Sequence, residues 1–464
     1  MKKSFLKGFL LILFSSTCFA CSNGIEDLVD AGVPIIGSSS ALVAEVKASS
    51  NLLGWGNIGD TTIAVKADKE ILPALTSTKT DLKAITANLE GGFRLLSVGG
   101  SLSAGFRDGG LYREGQLTAF PNLVARQMGV TFYQPLFDAS NGNGSGYKVL
   151  AGTEPIATFK LVTNNLGYVD NAKADKFKKF NGSNNDQFAF PEITKQMDRT
   201  DFNQKYVDRV VNESAKGNFQ TILGLVKNET ADFVIFELGT DDLVTSILRG
   251  GGAGINDVYQ GAIVLPTEQG LLKEMARKKM KGVVLNVPPI LDFPYFNQFT
   301  NDKIKKLGFT FSVQDGYGAD RYRSFDFNGD RLVPTKNVEA IFKGNVRAGI
   351  RLQDSDVISL KGGELEGFDP QPYNEFELKK VADGVNFPVV DLYGIYKKIL
   401  ANTYTTGDGV KVNPDWKTGN FFSADGIYPT AFGQAVITNE VIKTINQYYK
   451  LSIPTVDTRF FLKK

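Results

Sequence analysis

The amino-acid sequence predicts an α/β fold, with a central parallel sheet covered on both faces by helices. Short apolar runs typical of buried strands alternate with helical stretches along most of the chain. Strands are predicted at residues 93–98, 232–238, 282–287 and 388–391, and helices at residues 119–127, 267–281, 375–382 and 430–449. Because strands that alternate with helices form βα units, ligands are expected beyond the carboxyl ends of the strands.

Glycine and proline residues at the strand ends, and an apolar face on the first helix, support the predicted elements. The first strand runs into the sharp turn Gly99-Gly100, the second ends at Gly239, and the third is stopped by Pro288-Pro289. In the first helix, three apolar side chains at helical spacing share one face: Phe120, Leu123 and Val124. The alternation of strands and helices is therefore supported at both the starts and the ends of its elements.

Composition excludes several classes of function. The 464 residues include 52 basic and 50 acidic side chains, a net charge of +2 without long single-sign runs, so no nucleic-acid partner is expected. Histidine is absent, which removes the commonest general base and the commonest metal ligand. We therefore expect neither a metal nor a cofactor. Cys18 and Cys21 are the only cysteines, so the folded domain holds no disulfide.

The amino terminus predicts export. Three lysines lie among the first seven residues, and the apolar run at residues 9–14 is far shorter than the ~20 residues of a spanning helix. Cys21 follows a small residue, as in a bacterial lipobox, although Cys18 stands where leucine is usual. We predict a signal peptide at residues 1–20 and a lipid-anchored tether at 21–50. The alternative is ordinary cleavage after Ala20, which would leave a soluble secreted protein.

The rest of the chain divides into an extension and a main domain. Residues 51–92 are predicted to pack on a domain that spans residues 93–460. Within it, residues 298–370 lack the strand–helix rhythm and are interpreted as an insertion with loops and a small subdomain. The segment Asp326-Phe-Asn-Gly-Asp330 resembles a calcium loop, but it lacks the downstream glutamate and favours a turn.

Three segments carry the candidate chemistry. Gly99-Gly-Ser-Leu-Ser-Ala-Gly105 and Gly239-Thr-Asp-Asp242 follow predicted strands, and Asp425-Gly-Ile-Tyr-Pro-Thr-Ala431 leads into the last helix. In order and spacing they resemble the G-D-S-L, G-x-N-D and D-x-x-H blocks of the SGNH (GDSL-type) hydrolases. The segment Asp108-Gly-Gly-Leu-Tyr-Arg-Glu-Gly-Gln116 extends the likeness to exported GDSL-like lipoproteins of Gram-negative bacteria.

This resemblance, which spans roughly residues 93–460, implies a three-layer, flavodoxin-like SGNH fold and an outer-membrane lipoprotein. It also implies a FadL-like β-barrel partner and a lipid or acyl ligand. In the family, the serine at the position of Ser101 is the nucleophile, and the aspartate at Asp425 orients the histidine that activates it. Here Tyr428 stands in the histidine position, and Asp241 replaces the oxyanion asparagine. Asp170 is matched to an oxyanion glycine.

These replacements predict a disabled site. Tyrosine, with a pKa of ~10, stays protonated at neutral pH and donates hydrogen bonds, and an ionised Asp241 would repel a developing oxyanion. Gly100 also replaces the acidic or amide residue that precedes the serine. Ser101 would then be a turn or helix-cap residue, Asp241-Asp242 an N-cap pair, and the Tyr428 hydroxyl would meet Asp425 or Ser101.

Three functions remain open from the sequence. The first is a pseudoenzyme that binds a lipid or acyl chain or serves an outer-membrane transporter. The second is an active or weakly active esterase or lipase on lipid or carbohydrate esters, in which Asp241 or Asp425, desolvated to a raised pKa, replaces the missing base. The third is a glycan-binding module that uses aromatic side chains of the crevice.

Overall fold

The computed structural model describes most of the chain beyond residue 67. The residues described are 68–75, 80–87, 92–139, 142, 144–152, 156–162, 166–170, 172–193, 204–210, 222–249, 265–314, 321–344, 349–359 and 367–462. The predicted signal peptide, Cys21, the tether and part of the extension lie outside these residues, so the structure does not bear on them. Within the described residues, no helix has both the length and the apolar character needed to cross a membrane.

Twelve strands are described, and five of them form the central sheet. The strands are β1 Leu95–Gly99, β2 Tyr147–Gly152, β3 Thr158–Val162, β4 Gln187–Ala189, β5 Phe233–Glu237, β6 Lys281–Leu285, β7 Phe311–Gln314, β8 Tyr322–Ser324, β9 Asp330–Leu332, β10 Ile350–Leu352, β11 Val357–Ser359 and β12 Val389–Val390.

The described α-helices alternate with the sheet strands for much of the chain. They are α1 Asp68–Ile71, α2 Ser101–Ala104, α3 Arg113–Leu117, α4 Phe120–Met128, α5 Gln204–Val210, α6 Ile222–Asn228, α7 Thr240–Arg249, α8 Leu265–Arg277, α9 Asn301–Leu307, α10 Lys336–Lys343, α11 Gln371–Tyr373, α12 Lys379–Gly384, α13 Leu392–Leu400 and α14 Ala431–Tyr449.

The central sheet is parallel throughout, and its strands lie in the order β12-β6-β5-β1-β4. When these five strands are numbered 1 to 5 along the chain and read from the β4 edge, their order is 2-1-3-4-5. This is the flavodoxin-like arrangement of doubly wound folds. Every residue of β1 and β5 is buried, as expected when both faces of a parallel sheet are covered. The predicted α/β class and the four predicted strands are therefore confirmed.

Strand β4 was missed by the sequence analysis. It has only three residues and includes Gln187, so it offers no apolar run to detect. Its pairing with β1 places Gln187 beside Ser97 and Ala189 beside Gly99. Pairing with β1, and not the amino-acid composition of β4 itself, therefore accounts for this edge strand.

The four predicted helices are present as α4, α8, α12 and α14, with shifted ends. The third is preceded by a π-helical turn, Asn374–Leu378. The buried Asn374 side chain accepts a hydrogen bond from the Val287 N–H at 2.9 Å and donates one to the Val287 carbonyl at 2.8 Å. The turn thus satisfies backbone groups just beyond β6.

The predicted insertion carries a hydrophobic core of its own. Strands β10, β7 and β8 form one small sheet, and β11 pairs with β9. Their buried side chains, including Phe311, Leu332 and Ile350, cluster with Phe299 and Phe342 apart from the main core. A small subdomain is therefore present in this part of the chain, while the exact limits 298–370 stay a prediction.

The segment Asp326–Asp330 forms a turn, as predicted. The Asp330 side chain, buried in the turn, accepts hydrogen bonds from the Asp326 N–H at 2.7 Å and from the Arg323 guanidinium. Although burial opposes it, these contacts hold the pKa of Asp330 below its usual value. Its carboxylate oxygens are thus committed to an internal ion pair.

The described parts of the predicted extension contact the main domain. Ile85 is fully buried in the main core. Asp68 accepts a hydrogen bond from the Arg113 guanidinium at 2.9 Å, and the Ala87 N–H donates to Asp232 at 2.6 Å. Residues 68, 85 and 87 thus contact the domain, while the limits of the extension stay a prediction.

Candidate functional site

The three sequence segments meet at the carboxyl edge of the sheet. Ser101 follows β1, Asp241 follows β5, and these adjacent strands flank the point where the strand order reverses. In open α/β sheets, ligands bind in the crevice at such a switch point. Asp425 and Tyr428 reach the same place from the loop before α14, since Tyr428 contacts Asp241 directly.

Ser101 begins the short helix α2 and is completely buried, with 0 % of its surface exposed. It is not the N-cap, because Gly100 occupies that position. Its hydroxyl donates to Asp241 Oδ2 at 2.9 Å and accepts from the Glu192 N–H at 3.1 Å. The serine oxygen is therefore engaged both as donor and as acceptor.

Asp241 is the centre of the site. Its Oδ2 accepts from the Ser101 N–H at 2.7 Å as well as from the Ser101 hydroxyl, and its Oδ1 accepts from the Tyr428 hydroxyl at 2.7 Å. Burial raises its pKa to about 6, although these hydrogen bonds oppose the shift. The predicted N-cap role of Asp241-Asp242 was wrong, because both lie within the first turn of α7, which begins at Thr240.

Gly100 and Asp241 fit each other sterically. A Cβ atom at Gly100 would lie 2.5 Å from Asp241 Oδ2, closer than real Cβ contacts allow. The glycine before the serine therefore leaves room for the carboxylate that caps α2 from outside the helix. Gly100 and Asp241, the two residues at which the sequence differs from the blocks it resembles, thus belong to one local arrangement.

Tyr428 is buried, and its hydroxyl donates to Asp241 Oδ1, whereas Asp425 or Ser101 was the predicted partner. Its ring packs edge-on against Phe106, with centroids 5.5 Å apart. Burial and the neighbouring Asp241 charge raise its pKa well above 10, so the hydroxyl stays protonated and donates. The prediction of a packed aromatic is confirmed. The predicted contact with Asp425 is corrected to Asp241, while the Ser101 hydroxyl also lies near enough to lower the Tyr428 pKa.

Asp425 organises the loop that carries Tyr428. Its Oδ1 accepts from the N–H groups of Ile427 and Tyr428, both at 2.9 Å, and its Oδ2 accepts from the Gly109 N–H at 3.0 Å. Burial first, and then the nearby Asp108 charge, raise its pKa to about 6. The Asp425 carboxylate thus accepts hydrogen bonds from backbone N–H groups, which gives it a structural role.

Asp170 lies in a turn. It accepts a hydrogen bond from the Ala172 N–H at 3.0 Å and lies 3.7 Å from the Lys173 ammonium, with a side chain 46 % exposed. The N–H group that reaches Ser101 belongs instead to Glu192, beyond the end of β4. The matching of Asp170 to an oxyanion glycine thus gains no support from the contacts described.

Glu192 has a backbone conformation that is unusual for a residue with a side chain. Its φ of 56° lies in the left-handed region that favours glycine. This backbone conformation directs the Glu192 N–H at the Ser101 hydroxyl. No sequence signal could have located it, because β4 itself was not detectable.

Glu237, at the end of β5, is a second buried carboxyl that the sequence analysis overlooked. Its Oε2 accepts from the Gly100 N–H at 3.2 Å and from the Ser103 hydroxyl at 2.9 Å. Burial, reinforced by the Asp241 charge, raises its pKa to about 8. The glutamate is thus mostly protonated at neutral pH, while Asp241 carries the charge.

The chemistry of this arrangement is restricted. The Ser101 hydroxyl contacts the Asp241 carboxylate, whose oxygens accept hydrogen bonds and when ionised could not donate to an oxyanion. Ser101, Asp241 and Tyr428 are each at most 1 % exposed, so the serine hydroxyl lies beneath the surface. Within the described part of the chain, no cluster of three or more acidic, histidine or cysteine side chains is arranged to hold a metal ion.

No family model matches the chain, and neither curated proteins nor solved structures gave a match. The SGNH resemblance therefore stays a prediction.

Proposed function

We propose that this protein is a non-catalytic member of the SGNH hydrolase class, exported to the outer membrane as a lipoprotein. There it serves as a ligand-binding or accessory subunit beside a FadL-like β-barrel. The observation that carries the proposal is the state of Ser101, whose buried hydroxyl is shared between Asp241 and the Glu192 N–H. A serine without an adjacent base of suitable pKa is a poor nucleophile.

Topology supports the assignment to this class. The 2-1-3-4-5 strand order, a serine after the first sheet strand and an aspartate after the third agree with the order of the family blocks. Asp425 and Tyr428 precede the last helix, as the family's acid and base do. The order of these residues thus supports the proposal, and their contacts support a structural role.

Ester hydrolysis tests the proposal. The purified protein is expected to turn over p-nitrophenyl acetate no faster than its Ser101→Ala variant. The double variant Tyr428→His, Asp241→Asn returns a base and an oxyanion donor, and is expected to gain Ser101-dependent turnover. Tyr448→His combined with Asp241→Asn is the matched control, because Tyr448 is exposed and lies at the opposite end of α14 from the Asp425–Ala431 segment. Ser101-dependent turnover by the unaltered protein would refute the proposal.

One contact favours a second candidate, a slow esterase in which Asp241 is the base. Asp241 Oδ2 lies 2.9 Å from the Ser101 hydroxyl, and its pKa of about 6 is nearer to neutrality than that of an ordinary aspartate. Turnover would then rise as pH increases through about 6 and vanish in Asp241→Asn. A rate that does not depend on residue 241 would exclude this candidate.

The barrel partner comes from the resemblance and needs its own experiment. Covalent cross-linking in intact outer membranes, followed by mass spectrometry, is expected to join this protein to a FadL-like barrel. A Cys21→Ala variant, which lacks the proposed anchor, is expected to lose most of the cross-link. Recovery of the protein without any barrel would argue against a transporter complex.

A further inference from the structure

The two ends of the described chain meet on helices α4 and α14. Leu72, directly after α1, and Phe461, close to the carboxyl end, pack against the same small cluster of buried side chains. The cluster consists of Leu123 on α4, Ala435 on α14 and Val456. Segments from opposite ends of the sequence therefore form one surface of the domain.

Polar contacts fix the carboxyl-terminal segment along α14. Asn439 and Asn446 are about two helical turns apart and share one face of the helix. The Asn439 amide accepts a hydrogen bond from the Val456 N–H at 2.8 Å and donates one to the Val456 carbonyl at 2.9 Å. The Asn446 amide bonds the Ile453 backbone in the same way, at 2.9 and 2.8 Å. The segment after α14 is therefore held at two points.

A carboxylate fixes the same segment further along. Asp408 accepts hydrogen bonds from the Thr458 N–H at 2.7 Å and from the Thr458 hydroxyl at 2.8 Å. Thr458 begins a 3₁₀ turn that ends at Phe461, and the rings of Phe460 and Phe461 are 5.1 Å apart. The two phenylalanines thus occupy a position that specific contacts define.

Apolar side chains are exposed where the two segments meet. Leu75 is 64 % exposed, and Phe460 is 43 % exposed. Each lies within three residues of Leu72 or Phe461, which is at most about 11 Å along the chain, so both border the same cluster. Together with the half-buried Leu72, Phe461 and Leu462, they form what we call the terminal patch. Exposed apolar side chains grouped in this way mark an interaction surface.

The border of the terminal patch is basic. Arg126 on α4 donates to the Pro73 carbonyl at 2.6 Å, and no acidic side chain among the described residues forms an ion pair with it. In the sequence Arg459-Phe-Phe-Leu-Lys-Lys464, three basic residues flank the apolar ones. Asp457 pairs with Arg459 at 2.8 Å, and the exposed Lys69-Glu70 adds no net charge. Positive charge therefore remains around an apolar centre.

An apolar centre with a basic border fits an anionic lipid surface. Apolar side chains enter the boundary between headgroups and acyl chains, and each basic side chain near anionic headgroups strengthens binding about fivefold. The course of the chain agrees with this partner. The segment that follows the proposed anchor at Cys21 enters the described structure at Asp68, four residues before Leu72. The anchored segment therefore joins the domain at the terminal patch.

The anchor by itself does not fix which face of the domain meets the membrane. Fully extended, the chain from Cys21 to Asp68 could span about 160 Å. A stretch of that length lets any face of the domain reach the bilayer. A second contact is therefore needed to give the domain one orientation.

We propose that the terminal patch rests on an anionic phospholipid bilayer and orients the domain on it. The inference rests on the proposed function, because it takes the protein to reside at a membrane, and it names the face that is turned towards the lipid. Leu75 and Phe460 leave water at this contact, while Arg126 and the basic residues of the segment 459–464 meet headgroup phosphates.

Vesicle flotation tests the inference in the absence of the anchor. The full-length Cys21→Ala protein, which cannot be acylated at that position, is mixed with vesicles of equal parts phosphatidylethanolamine and phosphatidylglycerol. It is expected to float with these vesicles. Binding to vesicles of phosphatidylcholine is expected to be about fivefold weaker or more, because they carry no net charge.

Two exposed side chains localise the contact. In the Cys21→Ala background, Leu75→Ser combined with Phe460→Ser is expected to weaken vesicle binding about tenfold or more, because two apolar side chains are lost from the interface. Phe376→Ser is the matched control, since Phe376 is 70 % exposed on a different element, the π-helical turn, and its variant should bind normally. All variants share residues 1–67, so a difference between them reports on the patch.

A fluorescent probe gives a second measurement that does not require binding to be lost. In a Cys18→Ser, Cys21→Ala background, Phe460→Cys is labelled with a nitrobenzoxadiazole probe, whose emission shifts to the blue in apolar surroundings. Anionic vesicles are expected to produce this shift, whereas the same probe at Phe376→Cys is expected to show none. Circular dichroism of each variant checks folding.

Four results would each overturn the inference: no flotation of the Cys21→Ala protein, equal binding to both kinds of vesicle, an equal loss of binding in the Phe376→Ser control, or no spectral shift at position 460. Dimerisation that the double variant abolishes would also overturn it, because the patch would then face a second copy of the chain. Ester hydrolysis reports on Ser101 and acylation reports on Cys21, so failure of the patch and failure of the proposed function are distinguishable.

Discussion

At the scale of single residues, Asp241 is the side chain on which the candidate site depends. It accepts three hydrogen bonds, two from Ser101 and one from Tyr428, within a buried environment. Buried carboxylates persist when such donors compensate their desolvation. The Asp241 carboxyl group thus joins its own segment to those of Ser101 and Tyr428.

Removing the Tyr428 hydroxyl should therefore weaken the fold. Tyr428→Phe leaves Asp241 with one donor fewer and is expected to lower the free energy of unfolding by about 1–3 kcal/mol. Urea denaturation measures the change. Tyr448→Phe is the matched control, because its hydroxyl bond is long, at 3.3 Å, and exposed, and its unfolding should hardly change. Equal stability of both variants would contradict the assigned role.

Gly100 and Asp241 should show energetic coupling. Gly100→Ala places a methyl group against the Asp241 carboxylate and is expected to destabilise by about 1–3 kcal/mol, as overpacking does. In an Asp241→Ala background the clash disappears, so the same change should cost much less. Gly384→Ala, with open space around its Cβ position, serves as the control. Additive effects of the two changes would show that the residues are independent.

At the scale of elements, the turns after β1 and β5 bring buried carboxyls together beneath α2. Glu237 ends β5, and Asp241 lies one turn later in α7. Each has a raised pKa, to about 8 and about 6 respectively. An acid whose pKa is raised by folding stabilises the folded state only while it is protonated.

The pH dependence of stability follows from these shifts. For Glu237, the contribution is complete below its ordinary pKa of 4.5 and is lost as pH rises towards about 8. The free energy of unfolding should thus fall between pH 5 and 8, and Glu237→Gln should flatten the decline. Glu70→Gln, at an exposed position, should leave the slope unchanged. A slope that is the same in both variants would exclude Glu237 as its source.

At the scale of the whole molecule, the main domain combines a five-stranded parallel sheet with a small subdomain that has its own core. The candidate site around Ser101, Asp241 and Tyr428 is assembled from segments far apart in the chain. The proposed lipid anchor belongs to this scale too, because it would decide where the whole domain resides.

Lipidation can be tested directly. Cells grown with a labelled fatty acid are expected to incorporate the label into this protein, and Cys21→Ala should abolish incorporation. Cys18→Ala is the control, since Cys18 would be removed with the signal peptide. Label that persists in Cys21→Ala would show that the proposed anchor is wrong, and a protein without label would support cleavage after Ala20.

The sequence by itself determined the α/β class, the four strong strands and the three segments of the site. Apolar runs and glycine turns such as Gly99-Gly100 report local preferences that survive in the fold. It also determined that no imidazole could activate Ser101, because the chain has no histidine.

Only the tertiary structure decided the partners within the site. Tyr428 and Asp241 are 187 residues apart, and their 2.7 Å hydrogen bond depends on how a loop and a helix end meet across the sheet. The N–H of Glu192 reaches Ser101 because it follows β4, a strand too short to predict. Such contacts arise from packing between segments that are distant in the chain, so local sequence patterns do not predict them.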